Sequence, residues 1–330
     1  MASLVFTLDH FARILKPHFP VDRGMRTAAT LALAALLWAP ATPAWGQGQS
    51  WAVVVGIDDY TYLHGVEGGD LLGAEYDARG FTDYLLQGQG LPEENVLLLL
   101  GADATGTAIR AGLAEWLPAR VGPGDRVYVF YSGHGSQILD NSGDEDDGMD
   151  ETISPVDALP LSPRNDIVDD EIDELLSGLE AAEVVVILDS CSPGTATKVP
   201  GLEGRPRRLS RPVQRPKAVG EDRYGSGLVD GSGREGTRKV VELAASAPYQ
   251  TALDAVFLDE EGEVDFYGGA FTTHLLQRLW AADDTTSLAR VLEQTREDMQ
   301  EGRFQQVPQF SGPGTAPVKA RRPDGGAQPK

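Results

Sequence analysis

The stretch Val127-Tyr-Val-Phe-Tyr-Ser-Gly-His-Gly-Ser136 decides the fold of this chain, and Val184-Val-Val-Ile-Leu-Asp-Ser-Cys-Ser192 repeats its plan. In each stretch, a mostly apolar run typical of a buried strand leads directly into a loop that carries one reactive side chain, His134 or Cys191. Sites in open parallel sheets form beyond the carboxyl ends of the strands. If the two strands are neighbours, we expect His134 and Cys191 to face each other there.

Further strands and helices alternate on both sides of these stretches. The patterns predict strands at Trp51–Asp58, Asn95–Leu100, Arg126–Tyr131, Glu183–Leu188 and Lys239–Ala244. They predict helices at Ala74–Leu86, Thr105–Leu117, Asp169–Leu179, Ala270–Trp280 and Ser287–Met299. This alternation implies an α/β fold with a mostly parallel sheet covered by helices on both faces.

The length, hydrophobic content and net charge of the chain limit the functions and partners it can have. The chain has 330 residues, of which 41% are hydrophobic, so a sizeable core can form. The formal net charge of −22 argues against nucleic acid as a partner, because phosphate binding needs a basic surface. An acidic surface favours basic peptides or divalent cations, although acidity can also serve only solubility.

The amino-terminal part, residues 1–46, reads as an extension followed by a secretory signal. Residues 25–46 combine a basic start, a short apolar run and small residues, and Met25 reads as the true start. The run is too short to span a bilayer comfortably, so we expect no membrane span in the mature chain. The pattern predicts an exported protein, periplasmic or secreted, that begins near Gln47.

The single cysteine, Cys191, excludes an intramolecular disulfide and the usual multi-cysteine zinc sites. A lone cysteine is usually a small buried hydrophobe, but a free thiol in an oxidising compartment is prone to damage. Only three histidines follow residue 46: His64, His134 and His274. A nucleophilic thiol needs a nearby base, so Cys191 and His134 form a candidate catalytic pair, with purely structural roles as the alternative.

Several stretches resemble metacaspases and their bacterial relatives, the orthocaspases, and the similarity covers roughly residues 50–312. They are Leu72–Ala78, Phe130–Gln137, the acidic Gly143–Asp157, Asp169–Glu171, Leu188-Asp-Ser-Cys191, Ala245–Thr251, Gly269–Thr273 and Gln306–Gln309. The resemblance implies a caspase-like three-layer sandwich with a central, mostly parallel six-stranded sheet flanked by helices. Two departures are Tyr76, where the family usually has Asn, and Ser192-Pro193, where it has His-Ser.

The resemblance also implies roles in a cysteine-type endopeptidase. Cys191 is the expected nucleophile, His134 protonates the leaving amine, and the Gly135 and Cys191 amides form an oxyanion hole. Positions that line the family's specificity pocket match Asp77, Ser132 and Asp189, so substrates should carry Arg or Lys before the scissile bond. The alternatives are a surface charge for Asp77, and an inactive caspase-like scaffold or a calcium-binding module for the whole protein.

No cofactor is required by these patterns, but calcium is a candidate ligand. In calcium-dependent metacaspases, aspartates that match Asp150, Asp169 and Asp170 bind the ion, and hard oxygen ligands suit it. A solvated acidic loop is the alternative for the run that contains Asp150.

The resemblance divides the chain into a large-subunit-like region, 47–195, and a small-subunit-like region, 239–312. Between them, residues 196–238 form a basic, flexible linker with ten Lys and Arg against five Asp and Glu. Residues 313–330 read as a disordered tail. The linker is a candidate self-cleavage segment, with the bonds after Arg207, Arg208, Lys217 and Arg223 favoured. Alternatively, it only covers an acidic cleft.

Overall fold

The architecture was analysed in a computed structural model. The structure describes residues 48–66, 68–140, 148–191, 204–209, 239–247, 250–259, 261–283, 285–313 and 318. The predicted secretory signal therefore lies outside the described residues, as do most of the linker and tail, and export stays a prediction. Within the described residues, no helix has both the length and the apolar character needed to cross a bilayer.

The order of elements follows the predicted alternation, with several short strands added. The strands are β1 Ser50–Gly56, β2 Val96–Leu100, β3 Arg126–Ser132, β4 Gly135–Leu139, β5 Met149–Ile153, β6 Ile167–Val168, β7 Glu183–Asp189, β8 Gly204–Pro206, β9 Lys239–Ala244, β10 Leu253–Leu258, β11 Val264–Gly269 and β12 Gln309–Ser311. The α-helices are Ala74–Asp83, Gly106–Ala111, Asp169–Ser177, Ala270–Ala281 and Leu288–Glu301. The first two helices continue as π-helical turns, Tyr84–Gln89 and Gly112–Trp116.

The central sheet has six strands in the order β12-β9-β7-β3-β1-β2. All neighbours are parallel except β12, which pairs antiparallel with β9. Buried apolar side chains form two clusters, one around Phe81, Phe130 and Phe271 and the other around Val53, Val129 and Ile172. The caspase-like sandwich predicted from the sequence is confirmed.

Side-chain caps mark two of the predicted helix starts. The Thr105 hydroxyl accepts the Ala108 amide, and the Ser287 hydroxyl accepts the Arg290 amide, so each satisfies a donor that the helix cannot pair. The sequence analysis missed the short strands of two small sheets, β4-β5-β6 and β11-β10-β8. Several of these strands have only two to five residues, too few to show a clear hydrophobic period.

Two predicted flexible regions contain ordered residues. In the basic linker, β8 pairs antiparallel with β10, and the next residue, Arg207, is fully buried. In the predicted tail, Val318 is buried and its amide donates to the Thr286 carbonyl. Composition did not reveal either contact, because the partners lie far away in the sequence.

Candidate active site

The carboxyl ends of β3 and β7 bring the two reactive loops together. The strands are neighbours in register, with Ser132 opposite Asp189. A hydrogen bond links the two loops, since the Gly133 amide donates to the Asp189 carbonyl at 3.3 Å. His134 and Cys191 follow at once on these two loops, and both are buried. The two reactive residues therefore lie on neighbouring loops at this edge, as expected from the sequence.

Backbone and aromatic contacts hold the His134 ring. Its Nε2 atom lies 3.2 Å from the Gly69 carbonyl oxygen, an arrangement that suits an Nε2–H donor. The Tyr60 ring packs against the imidazole at 4.9 Å between centroids, and the Tyr60 hydroxyl accepts the His134 amide at 2.7 Å. The Tyr131 hydroxyl donates to the His134 carbonyl at 2.6 Å. Sequence reasoning missed Gly69 and Tyr60 because neither lies in a strand-end motif.

The Cys191 thiol is enclosed rather than solvated. Its Sγ atom lies 3.0 Å from the Ala252 amide nitrogen and 3.2 Å from the Ala252 carbonyl oxygen. Burial raises the pKa of Cys191 to about 12, and the charge of Asp189 adds to the effect. The sulfur is therefore a neutral thiol in this conformation.

A guanidinium from the chain itself fills an acidic pocket beside Cys191. Arg207 Nη2 lies 2.6 Å from an oxygen of Asp77 and 3.0 Å from an oxygen of Asp254, and Nη1 lies 3.4 Å from Asp189. The Ser132 hydroxyl accepts a hydrogen bond from Arg207 Nη1 and donates to Asp77. A buried charge is costly unless it is paired, and this pocket supplies three carboxylates.

The structure thus brings together all three pocket residues predicted from the sequence. Asp77 is 1% exposed, which overturns the alternative of a surface charge. Burial raises the pKa of Asp77 to about 7, although Arg207 acts in the opposite direction. An empty pocket of this kind would be electrostatically unfavourable, so a cation is its natural occupant.

Three further residues complete the pocket and were not predicted. Asp254 is supplied by β10, and its second oxygen accepts the Leu72 amide at 2.7 Å. Thr272 donates both its amide and its hydroxyl to Asp189 and so fixes that carboxylate. Gly269 leaves the space free, since a Cβ atom there would lie 2.0 Å from Asp189 and 2.9 Å from the guanidinium. All three come from the small-subunit-like region. Gly269 and Thr272 lie in a stretch that resembles the family but were not assigned to the pocket, and Asp254 lies outside the resembling stretches.

Two backbone amides converge on the Arg207 carbonyl. The Gly135 amide lies 3.0 Å from this oxygen and the Cys191 amide 3.2 Å, which is the geometry of an oxyanion hole. Gly135 has to lack a side chain here, because a Cβ atom would lie 2.3 Å from the Cys191 carbonyl oxygen. The Arg207 amide in turn donates to the Ala252 carbonyl at 3.1 Å. Arg207 is therefore held at its carbonyl oxygen by two amides and at its own amide by the Ala252 carbonyl, the residue that also contacts the Cys191 sulfur.

The predicted calcium ligands lie apart from the two reactive loops, on β5 and at the start of the helix Asp169–Ser177. Burial, together with the charges of Glu151, Asp170 and Asp150, raises the pKa of Asp169 to about 9. Oxygen donors of this kind fit a hard cation. Across the part of the chain that the structure describes, however, no group of three or more His, Cys, Asp or Glu side chains is arranged to hold a metal ion. Calcium binding stays a prediction.

The fold and this site define an α/β protein with a thiol and an imidazole at the carboxyl edge of a parallel sheet. The sequence model of the caspase domain family matches residues 49–317. The chain therefore belongs to the caspase domain family. The curated relatives to which it is similar are metacaspases.

The relatives are similar over different shares of the chain. Metacaspase-1A of Aspergillus oryzae is 32% identical over 174 residues, which cover 50% of this chain and 39% of that protein. Metacaspase-1 of Saccharomyces cerevisiae is 27% identical over 303 residues, or 80% of this chain and 66% of that protein. This chain thus spans less than two thirds of the length of each. A crystal structure of a Geobacter sulfurreducens protein shares the fold, with a TM-score of 0.56 and 23% identity over 83% of this chain and 98% of that one.

Proposed function

We propose that this protein is a cysteine endopeptidase that uses Cys191 and His134, cleaves after Arg or Lys, and first cuts its own chain between Arg207 and Arg208. One observation carries the proposal: Arg207 fills the acidic pocket while the Gly135 and Cys191 amides hold its carbonyl oxygen. This placement favours the bond after Arg207 as the first self-cleavage site among the four candidate bonds predicted from the sequence. The alternative that the linker only covers the acidic cleft does not require this placement of the carbonyl group.

The backbone before the bond is held as a substrate strand. Residues Gly204–Pro206 add a third strand to the β10–β11 hairpin. Such strand addition aligns a peptide through main-chain hydrogen bonds, whatever its sequence, and leaves selection to the side-chain pockets. Gly204, Arg205 and Pro206 are exposed, whereas Arg207 is buried. Selectivity before the bond therefore rests mainly on the residue in the acidic pocket.

The chemistry follows from these positions. His134 takes the thiol proton, and the Cys191 sulfur attacks the Arg207 carbonyl carbon, so that the negative charge develops on the oxygen held by the two amides. His134 then gives the proton to the Arg208 nitrogen as the C–N bond breaks, leaving a thioester on Cys191. Water hydrolyses the thioester, which forms the Arg207 carboxylate and restores the thiol. Because Arg207 fills the acidic pocket in the uncut chain, other substrates can enter it only after the chain is cut and the pocket is vacated.

The residue before the scissile bond provides the direct test of this function. The full-length protein should hydrolyse fluorogenic peptides with Arg or Lys at that position and leave matched Asp peptides intact, because three carboxylates surround it. The assay is run with and without calcium, so that a requirement for the ion is measured separately. A preference for Asp or for bulky apolar residues would contradict the proposal, and an inactive scaffold would cleave none of the peptides.

Asp254 should make the pocket prefer Arg to Lys. Nη2 of the Arg207 guanidinium donates to both Asp77 and Asp254, and Nη1 contacts Asp189 and Ser132. The single ammonium nitrogen of a lysine cannot reach partners on both sides in this way. Since a hydrogen bond to a charged group contributes about 1.5–3 kcal/mol, Asp254→Asn should lower kcat/KM for Arg peptides by about 10- to 100-fold. In the same variant, kcat/KM for Lys peptides should fall by a smaller factor.

The matched control is Asp259→Asn, which alters an exposed aspartate just beyond β10, the strand that carries Asp254. This variant should leave kcat/KM unchanged for both Arg and Lys peptides. Equal losses for Arg and Lys peptides would show that Asp254 acts only through its charge. Unchanged kinetics would remove it from the pocket's function.

A further inference from the structure

Residues after the proposed scissile bond are held as firmly as those before it. Arg208 forms a parallel bridge with Gly135, the first residue of β4. The Leu209 amide donates to the Gly135 carbonyl at 3.0 Å, and the Ser136 hydroxyl lies 3.4 Å from the Leu209 carbonyl oxygen. Gly135 therefore contacts both sides of the bond, because its amide binds the Arg207 carbonyl and its carbonyl binds the Leu209 amide.

The side chains around the bond alternate between the protein and solvent. Arg207 is fully buried, Arg208 is partly exposed and Leu209 is only 7% exposed. In an extended chain, residues two apart point to the same side, so Arg207 and Leu209 both enter the protein. The proposed function assigns a role to the pocket of Arg207, but not yet to the position that Leu209 occupies.

Leu209 enters an apolar environment. Its side chain belongs to the buried cluster that also contains Tyr60, Leu63 and Ile153. It comes from a linker that is otherwise rich in Gly, Pro and charged residues. The main-chain bonds to β4 place it there in register with the scissile bond, and that register would be the same for any peptide bound in this way.

We infer that the apolar environment of Leu209 is a substrate subsite that binds the side chain of the second residue after the scissile bond. The inference rests on the proposed function and extends it to a substrate class: peptides in which Arg is followed by any residue and then by an aliphatic one. Arg207-Arg208-Leu209 is the copy of that motif in the chain itself. Burying a leucine-sized side chain that would otherwise stay in water corresponds to about 10- to 100-fold in kcat/KM.

A purely structural role for Leu209 would be to anchor the linker in the intact protein. Peptides added in solution separate the two roles, because an anchor within the chain has no influence on which free peptide is cleaved. The subsite, in contrast, acts on every substrate that follows the same path along β4.

The test uses quenched fluorescent peptides based on Gly-Arg-Pro-Arg-Arg-Leu-Ser, the sequence of residues 204–210. The self-processed full-length protein should cleave the Leu peptide about 10- to 100-fold faster, in kcat/KM, than peptides with Asp or Gly at that position. A Met or Ile peptide should restore most of the rate. The control peptide changes the final Ser to Ala and should differ from the parent by less than about threefold, since mutational effects outside specific contacts are small.

The outcomes distinguish this inference from the proposed function. If Leu, Gly and Asp peptides are cleaved after Arg at equal rates, the subsite does not exist while the peptidase assignment stands. If the rate follows peptide hydrophobicity at the control position as well, the preference is unspecific and the subsite is also refuted. If no peptide is cut after Arg, the proposed function and the subsite both fail.

Discussion

Cys191→Ala should leave the chain uncut and abolish peptide hydrolysis. The substitution removes the only thiol of the chain and keeps the Cys191 backbone amide that bonds the Arg207 carbonyl, so it tests the sulfur alone. His134→Ala should lower kcat/KM by several orders of magnitude, because nucleophile and base act as one unit; in comparable systems either loss costs about 10⁴- to 10⁶-fold. Activity is followed with an Arg peptide, and self-cleavage by mass spectrometry of the incubated protein.

His64→Ala is the matched control for the histidine variant. The His64 side chain is 85% exposed and pairs only with Asp70 among the described residues, so its removal should leave turnover near the wild-type value. Near-wild-type turnover of either Cys191→Ala or His134→Ala would overturn the proposed mechanism. Melting curves of the three variants show whether any loss of activity reflects loss of the fold.

Arg207→Ala should prevent the first self-cleavage. In the wild type, this cut yields one fragment that ends at Arg207 and another that begins at Arg208. The substitution removes the partner of Asp77, Asp189 and Asp254, and a lost partner in a buried charge pair costs about 3–5 kcal/mol. The initial rate of cutting at this bond should therefore fall by about two to four orders of magnitude.

Arg208→Ala provides the matched control, because it changes the neighbouring arginine, whose side chain is partly exposed and lies outside the acidic pocket. Its chain should still be cut after Arg207. A wild type that is cut first after Lys217 or Arg223 would contradict the assignment of the bond. An intact wild type that nevertheless cleaves Arg peptides would refute self-processing and leave the peptidase assignment standing.

The sheet and the two reactive loops were predictable because their signals are local. The apolar runs Val127–Tyr131 and Val184–Leu188 favour buried strands, and each leads into a short loop that carries the reactive residue. Caps such as Thr105 mark helix starts within four residues. The two small sheets escaped prediction because their strands are short and draw stability from partners elsewhere, such as the register of β4 with β5.

The pocket was predictable only in part, for a related reason. Asp77, Ser132 and Asp189 stand within recognisable stretches and are brought together in the structure. Asp254 and Gly269 belong to the β10–β11 hairpin and gain their roles only when that hairpin packs across the strand ends. Nothing in their own neighbourhood distinguishes Asp254 from the other aspartates of an acidic chain.

The sequence by itself determined the α/β class, the parallel strands and the identity of the thiol and imidazole, because hydrophobic period and strand-end position are properties of a few adjacent residues. It also showed that a basic segment follows the nucleophile. Only the tertiary structure decided which of its ten basic residues enters the pocket, that Leu209 enters with it, and that Cys191 is enclosed as a neutral thiol. These outcomes depend on contacts between residues tens of positions apart, where packing and charge pairing, rather than local preference, set the lowest free energy.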